Sequence, residues 1–403
     1  QSLGFERMYN LLNLLAAIAL LVWGTHTVRT GILRVLGGSL RDLLASSMNK
    51  PALAFVSGLG VSSLLQSSTA TCLIVSSFVG QGIFLTSTAL IMMLGADVGT
   101  SLMALMFSFD LSWLSPLLIV LGVVVFVANQ NNTWGRWGRV SIGLGLMTLA
   151  LHLIVEATTP ITQSHGMHVL LSVLPNDPVI LILIGALLTV ISYSSLAMVL
   201  LTATLCHTQV VSLSMALSLV LGANLGSGLL AFLTMSKSSA DVRRVPLGNL
   251  IFKAIGCALA VPFLSFYLPV ADDIQAWGFD AVVSFHFLFN MLLAMSMIMF
   301  TGKVGKWLTQ YLPSVEVDNN KVQPKYLDPT ALSTPSLAIS CAAREALHQA
   351  DVVETMLRGI VPVIQNNDAL LAAKLREMDD GVDDLYSAIK FYYFTQSKVS
   401  FLI

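Results

Sequence analysis

Two short polar clusters, each set between apolar stretches, are the residues of this chain best suited to bind small ions. The first runs Ser62-Ser63-Leu64-Leu65-Gln66-Ser67-Ser68-Thr69 and the second runs Thr189-Val190-Ile191-Ser192-Tyr193-Ser194-Ser195. If a helix starts within each cluster, its free N–H groups and positive dipole end favour an anion beside the hydroxyl and amide groups. The helix that ends there presents free carbonyls, which suit Na⁺. The alternative is that serine and glycine only allow helices to pack closely.

The composition indicates that lipid rather than water surrounds most of the chain. Of the 403 residues, 55% are hydrophobic and 11% are charged, whereas an ordinary soluble domain has about 25% charged residues. The net charge of -1 leaves no basic face for nucleic acid. The four cysteines are far apart in the sequence, so neither a disulfide framework nor a metal-binding pattern is predicted.

The apolar stretches predict an all-α membrane protein with about seven full spans and two re-entrant hairpins. A helix needs about 20 mostly apolar residues to cross the hydrocarbon core. The predicted spans are residues 11–36, 84–108, 112–128, 139–160, 210–235, 247–270 and 280–302. Stretches 52–80 and 179–207 carry the polar clusters at their centres, so each would fold back with arms of about 20 Å, which is too short to cross.

An internal repeat relates the two halves, because adding 127 to a position in the first half often gives a matching residue. Gly95-Ala96-Asp97-Val98-Gly99-Thr100 corresponds in this way to Gly222-Ala223-Asn224-Leu225-Gly226-Ser227, and Ser67-Ser68 to Ser194-Ser195. One unit makes three crossings, and an odd number of crossings turns the second unit upside down. We therefore predict one transmembrane repeat at 1–128, and an inverted repeat with a final span at 129–305.

Basic residues predict the orientation of the chain. One side of the predicted topology holds most loop arginines and lysines, whereas the other holds only Arg7, so the positive-inside rule places the amino terminus outside and the carboxyl end in the cytoplasm. After a linker at 306–334, residues 335–403 read as a cytoplasmic helical hairpin that would pack on another copy, in a homodimer, or on further residues. Its Asp379, Asp380, Asp383 and Asp384 are either weak metal candidates or a solvated acidic face.

Charged residues within predicted spans are candidates for coupling or gating. Arg29 and Glu156 are 127 positions apart, so we expect them to face each other as a buried pair that biases the two access states. Both could instead extend to the membrane surfaces. Lys253 could lie near the anion or extend to the cytoplasm.

The polar motifs resemble those of the type II sodium/phosphate cotransporters. The resemblance rests on Gln66-Ser67-Ser68-Thr69, on the two Gly-Ala-Asp/Asn-x-Gly-Thr/Ser segments, on Arg243-Arg244-Val245 and on Phe285-His286-Phe287-Leu288-Phe289-Asn290, and it is strongest to the bacterial YjbB-type subgroup, which is associated with phosphate efflux. It implies Na⁺-coupled phosphate movement in the bacterial inner membrane. It also implies that residues 335–403 are part of a PhoU-like domain, with possible regulatory contacts in the cytoplasm.

Under this resemblance the hairpin tips hold substrate and ion. The expected substrate ligands are Gln66, Ser67, Ser68, Thr69, Ser194 and Ser195. The expected sodium ligands are Ser62, Ser63, Gln66, Asp97, Thr100, Ser192, Tyr193, Asn224 and Ser227. The family usually has glutamine before the paired serines in both halves, so Tyr193 suggests that one sodium site or the stoichiometry differs.

Other functions remain open at this point. The solute could be another small oxyanion, or the coupling ion could be H⁺. An intramembrane hydrolase using Ser67 or Ser194 is disfavoured, because neither serine lies in a glycine-flanked nucleophile elbow and no histidine lies near either tip in sequence. A channel would not need two inverted halves around one closed site.

Overall fold

The computed structural model describes residues 2–46, 50–109, 112–130, 132–162, 177–313, 322–328, 331–332, 335–366 and 368–402. Its regular elements in these ranges are α-helices and short 3₁₀ turns, with no β-strand among them. Parts of the predicted linker, residues 314–321, 329–330 and 333–334, lie outside the described residues. The predicted all-α membrane class is confirmed.

Seven sections of helix correspond in position to the seven predicted spans. They are α1 (Ser2–Ser46), α4 (Thr86–Phe107), α5 (Ser115–Ala128), α6 (Thr133–Thr162), α9 (Leu213–Thr234), α10 (Ala240–Ala260) continued by α11 (Leu264–Ala276), and α12 (Ala281–Met297) continued by α13 (Thr301–Tyr311). Six of the described sections are long and apolar enough to cross a membrane. The exception is α5, which has 14 residues and follows a 3₁₀ turn at Ser112–Leu114.

The two predicted hairpin stretches are each broken into two short helices. The first gives α2 (Pro51–Leu65) and α3 (Ser68–Gly80), and the second gives α7 (Pro178–Ser192) and α8 (Ser195–His207). Each arm has 13 or 15 residues, or about 20 Å of helix against about 30 Å of hydrocarbon. Proline stands at the start of α2 and of α7, where its missing N–H costs no hydrogen bond.

Each hairpin packs its first arm on the next full span through glycine, with backbone against backbone. A Cβ atom built on Gly58 would lie 2.0 Å from the Met92 carbonyl oxygen, and one on Gly95 would lie 2.0 Å from the Phe55 carbonyl oxygen. The matching residues of the second half, Gly185 and Gly222, would meet backbone at 2.4 and 2.3 Å. Glycine therefore allows α2 to lie on α4, and α7 on α9, at a distance that no other residue permits.

The carboxyl-terminal helices α14 (Pro335–Asn366) and α15 (Ala369–Leu402) form the predicted helical hairpin. Cys341 lies against the first re-entrant hairpin, where Gln81 Nε2 donates to its sulfur at 3.7 Å, and burial raises the pKa of this thiol. The four aspartates Asp379, Asp380, Asp383 and Asp384 are exposed. No group of three or more potential metal ligands occurs in the described part of the chain.

Candidate functional site at the hairpin tips

The two hairpin tips have the same backbone geometry at positions 127 apart. Gln66 and Tyr193 end their arms in the left-handed region, with φ of 52° and 54°. The next residues, Ser67 and Ser194, are extended, and each side chain accepts a hydrogen bond at 3.2 Å from an N–H in the first turn of the following helix. A helix end with free carbonyls and a helix start with free N–H groups therefore meet at both tips, as the sequence predicts.

The first tip is buried and has an unused polar group. Gln66, Ser67 and Ser68 are 4%, 5% and 4% exposed, and within the described chain Gln66 Oε1 has no hydrogen-bond partner. A buried carbonyl oxygen left alone costs about 1–3 kcal/mol. An amide oxygen beside a helix start is thus positioned to contact a ligand that enters the tip.

The second tip differs because its central side chain turns away. The Tyr193 ring is 65% exposed, so it does not supply the buried sodium ligand that was expected from it. Its backbone carbonyl instead accepts a hydrogen bond from Arg29 Nη2 at 3.3 Å. A fixed cation from α1 therefore lies at the carboxyl end of α7, where the helix dipole favours positive charge.

Hydroxyl groups of the first half bridge the hairpin and α4. Ser62 Oγ lies 2.7 Å from Thr100 Oγ1, and Ser63 Oγ donates to the Gly99 carbonyl at 3.1 Å. In the second half Ser192 Oγ is 3.3 Å from two backbone carbonyls of its own hairpin. The structure therefore brings Ser62 and Thr100 together in the first half, whereas Ser192 in the second half bonds to backbone of its own hairpin.

A buried ion pair joins the two halves. Lys253 Nζ lies 2.8 Å from Asp97 Oδ1 and 2.6 Å from Ser227 Oγ, with the lysine side chain 2% exposed. The lysine does not extend to the cytoplasm, because α10 begins at Ala240 and so carries residue 253 about 20 Å along the helix. One oxygen of the Asp97 carboxylate is therefore paired with an ammonium group.

The matching position in the second half carries a neutral network that sequence reasoning missed. Asn290 Nδ2 donates to Asn224 Oδ1 at 2.9 Å, and His286 Nδ1 lies 3.0 Å from Asn224 Nδ2. His286 and Asn290 are 3% and 1% exposed. Their presence in a motif shared with the cotransporters was the signal that could have added them to the site.

The expected pair between Arg29 and Glu156 is not formed. Arg29 bonds to the second tip, whereas Glu156 is 3.4 Å from His152 on its own helix, with a side chain that is 63% exposed. Residues at equivalent repeat positions touch only when they lie close to the axis that relates the repeats. The structure therefore does not hold Arg29 and Glu156 as the buried pair that was expected.

A cavity of about 410 Å³ opens between the ends of α4, α6 and α8. Its polar lining includes Ser108, Thr148, His152, Thr204, His207 and Asp280. The lining residue nearest to the second tip in sequence is Leu200, five residues beyond Ser195, or about 7.5 Å along α8.

Comparison with known proteins agrees with these motifs. The sequence profile of the family described as "Na+/Pi-cotransporter" matches residues 20–156 and 159–303. A protein of Salmonella typhimurium named "Putative inorganic phosphate export protein YjbB" is 47% identical over 385 residues, which cover 96% of this chain and 71% of that protein. The Escherichia coli K12 protein of the same name is 46% identical over the same shares of both chains.

More distant similarity extends to another bacterial protein. The "Uncharacterized protein YqeW" of Bacillus subtilis is 23% identical over 308 residues, covering 76% of this chain and all of that protein. No solved structure matches the chain. The family profile and the close relatives describe transporters rather than enzymes. The chain, with its two matched polar tips between apolar helices, belongs to the Na⁺/Pi-cotransporter family of multi-pass membrane proteins.

Proposed function

We propose that this protein is a Na⁺-coupled carrier of inorganic phosphate that alternates access around a site between its two hairpin tips. The observation that carries the proposal is the first tip, where the buried, unpartnered Gln66 Oε1 stands beside the start of α3. Free N–H groups at a helix start suit an anion. Phosphate is the anion named both for the family and for its YjbB relatives.

Substrate and ion would use different parts of the tips. The N–H groups at the starts of α3 and α8, with Ser67, Ser68, Thr69, Ser194 and Ser195, face the anion. The carbonyls that end α2 and α7, with Gln66 and the hydroxyls of Ser62, Ser63, Thr100 and Ser192, suit Na⁺. This division puts opposite charges side by side, so that binding of one favours binding of the other.

The proposal includes the arrangement of the chain in the membrane. Residues 1–128 and 129–305 form two inverted units, and residues 306–334 lead into a PhoU-like part at 335–403 that contacts regulators or a second copy in the cytoplasm. The amino terminus lies outside the bacterial inner membrane. We propose efflux in the cell because the relatives are named for phosphate export, although a coupled carrier runs in whichever direction its gradients dictate.

The proposal predicts Na⁺-dependent flux in a purified system. In proteoliposomes that hold this protein, we expect an inward Na⁺ gradient to raise radiolabelled phosphate uptake at least about tenfold over a choline gradient. If about 1.4 kcal/mol of the Na⁺ gradient is coupled to phosphate movement, phosphate accumulation changes tenfold. Unlabelled arsenate, a tetrahedral oxyanion of similar size and charge, should compete better than sulfate.

Two results would change the assignment. Uptake that follows an imposed pH gradient and ignores Na⁺ would replace sodium by H⁺ as the coupling ion. The absence of phosphate flux, in protein that runs as a single species after extraction, would remove phosphate as the solute.

A further inference from the structure

The ammonium group of Lys253 occupies a position built from oxygen ligands of both halves. Its neighbours are Asp97 Oδ1 at 2.8 Å, on α4, and Ser227 Oγ at 2.6 Å, on α9. Asp97 and Ser227 are 5% and 4% exposed, and Lys253 is 1% exposed. A carboxylate and a hydroxyl are ligands that suit a small hard cation, and a cation already lies between them.

The second half contains a neutral counterpart of this pair. Asn224 stands 127 positions after Asp97, and the run Asn249-Leu250-Ile251-Phe252-Lys253 has the spacing of His286-Phe287-Leu288-Phe289-Asn290. The second pair is joined by the bond from Asn290 Nδ2 to Asn224 Oδ1. The first pair therefore differs from the second by two charges of opposite sign, which leave the buried region neutral.

Lys253 also changes the hydroxyl contacts around it. In the first half the hydroxyls of Ser62 and Thr100 lie 2.7 Å apart. Their counterparts are Thr189 and Ser227, but Lys253 binds Ser227, and Thr189 Oγ1 is buried without a partner among the described residues. Ser227 Oγ accepts from Lys253 and donates to the Asn224 carbonyl at 2.8 Å, in place of the bond to Thr189 that the symmetry of the sequence predicts.

The carboxylate retains unused capacity for a cation. Asp97 Oδ2 is buried and has no hydrogen-bond partner in the described chain. Burying an ion costs several kcal/mol, and a buried pair recovers this cost well only when its remaining lone pairs are also bonded. Because only one oxygen of Asp97 is bonded, the pair with Lys253 recovers little of the cost of burying both charges. A carboxylate with a free oxygen fits a cation site that can use more than one oxygen ligand.

We propose that Lys253 is a tethered cation that fills a site which Na⁺ would otherwise occupy. Removing the ammonium while keeping Asp97 opens that site to Na⁺. This inference rests on the proposed function only in one consequence, that the natural chain moves one Na⁺ fewer per phosphate than the opened variant.

The binding test uses Lys253→Asn, which copies Asn290 of the second pair, with Asp97→Asn/Lys253→Asn as the matched neutral control. Thermal unfolding of purified protein is followed without phosphate, in NaCl or choline chloride at equal ionic strength. We expect 100 mM Na⁺ to raise the Tm of Lys253→Asn by about 2 °C more than that of the natural chain or the double variant. An equal Na⁺ response in all three proteins would overturn the proposal.

Folding of the single variant is itself informative, because its carboxylate needs a cation. We expect Lys253→Asn to be recovered as a single species when it is extracted in high NaCl, and Lys253→Arg to need no added Na⁺. If the double variant folds while Lys253→Asn fails even in high NaCl, the position does not admit Na⁺ and the proposal is wrong.

A flux measurement separates this inference from the proposed function. The Hill slope of phosphate uptake against Na⁺ should rise by about one in Lys253→Asn compared with the natural chain. If Lys253 instead binds the anion, the KM for phosphate rises and the Na⁺ slope does not change. The melting comparison involves no phosphate, so it would still support the tethered cation if the natural chain transported another solute.

Discussion

Replacing Gln66 by glycine should lower phosphate flux at least about tenfold, whereas the same change at Tyr193 should alter it by less than about threefold. Both residues end a hairpin arm with φ near 50°, a conformation that glycine adopts without strain, so neither change should disturb the turn. Gln66 is buried with a free Oε1 at the tip, while the Tyr193 ring is 65% exposed. We expect the loss of the contact between Gln66 Oε1 and a bound Na⁺ to cost about as much as a hydrogen bond to a charged group, about 1.5–3 kcal/mol, which is roughly tenfold or more.

The comparison is made on radiolabelled phosphate uptake in proteoliposomes with equal amounts of reconstituted protein. The two variants control for the backbone, since each removes a side chain from a turn of the same conformation, one at each tip. Equal losses in Gln66→Gly and Tyr193→Gly would mean that the turn itself, and not the amide, is what transport requires. Full activity in Gln66→Gly would exclude this side chain from the site.

Gly58→Ala should cost about 1–3 kcal/mol of stability or more, whereas Gly60→Ala, two residues away on the same arm, should be neutral or slightly stabilising. The added Cβ at 58 would lie 2.0 Å from the Met92 carbonyl oxygen, and backbone cannot move aside as a side chain can. At 60 no atom lies within 4 Å, and alanine is the better helix former by about 1 kcal/mol.

Fluorescence-detected size-exclusion chromatography after heating would measure both variants in the same detergent. The expected result is a lower melting point and less monodisperse protein for Gly58→Ala alone. If Gly58→Ala matched the natural chain while Gly185→Ala, its counterpart in the second half, did not, close contact of α2 with α4 would not be needed for folding.

The positions of the helix breaks could be predicted from the sequence because they depend on local residues. Polar groups that interrupt the two apolar stretches predicted both breaks, and each break lies inside its predicted polar cluster. The 127-residue repeat then predicted that Ser67 and Ser194 would play the same part, and each does cap the following helix.

The contacts between distant helices could not be predicted, since they depend on how far each helix extends. The span that carries Lys253 was expected to start at 247, but α10 starts at Ala240, which moves the lysine deeper and brings it to Asp97, 156 positions earlier in the chain. The 127-residue spacing predicted a contact between Arg29 and Glu156, but Arg29 donates its hydrogen bond to the second tip. Equal spacing in the repeats does not tell how far apart two helices lie.

The glycine contacts also determine which parts of the protein can move. Where two backbones touch with no side chain between them, sliding would bring Cβ atoms of neighbouring residues into collision, so α2 with α4 and α7 with α9 each behave as one rigid body. Shear is left to the boundary between these bodies, where Lys253 contacts both Asp97 on α4 and Ser227 on α9. Under the proposed alternating access, opening to either side of the membrane would have to stretch or exchange a few buried polar bonds, and we expect the barrier to that exchange to limit how fast the carrier turns over.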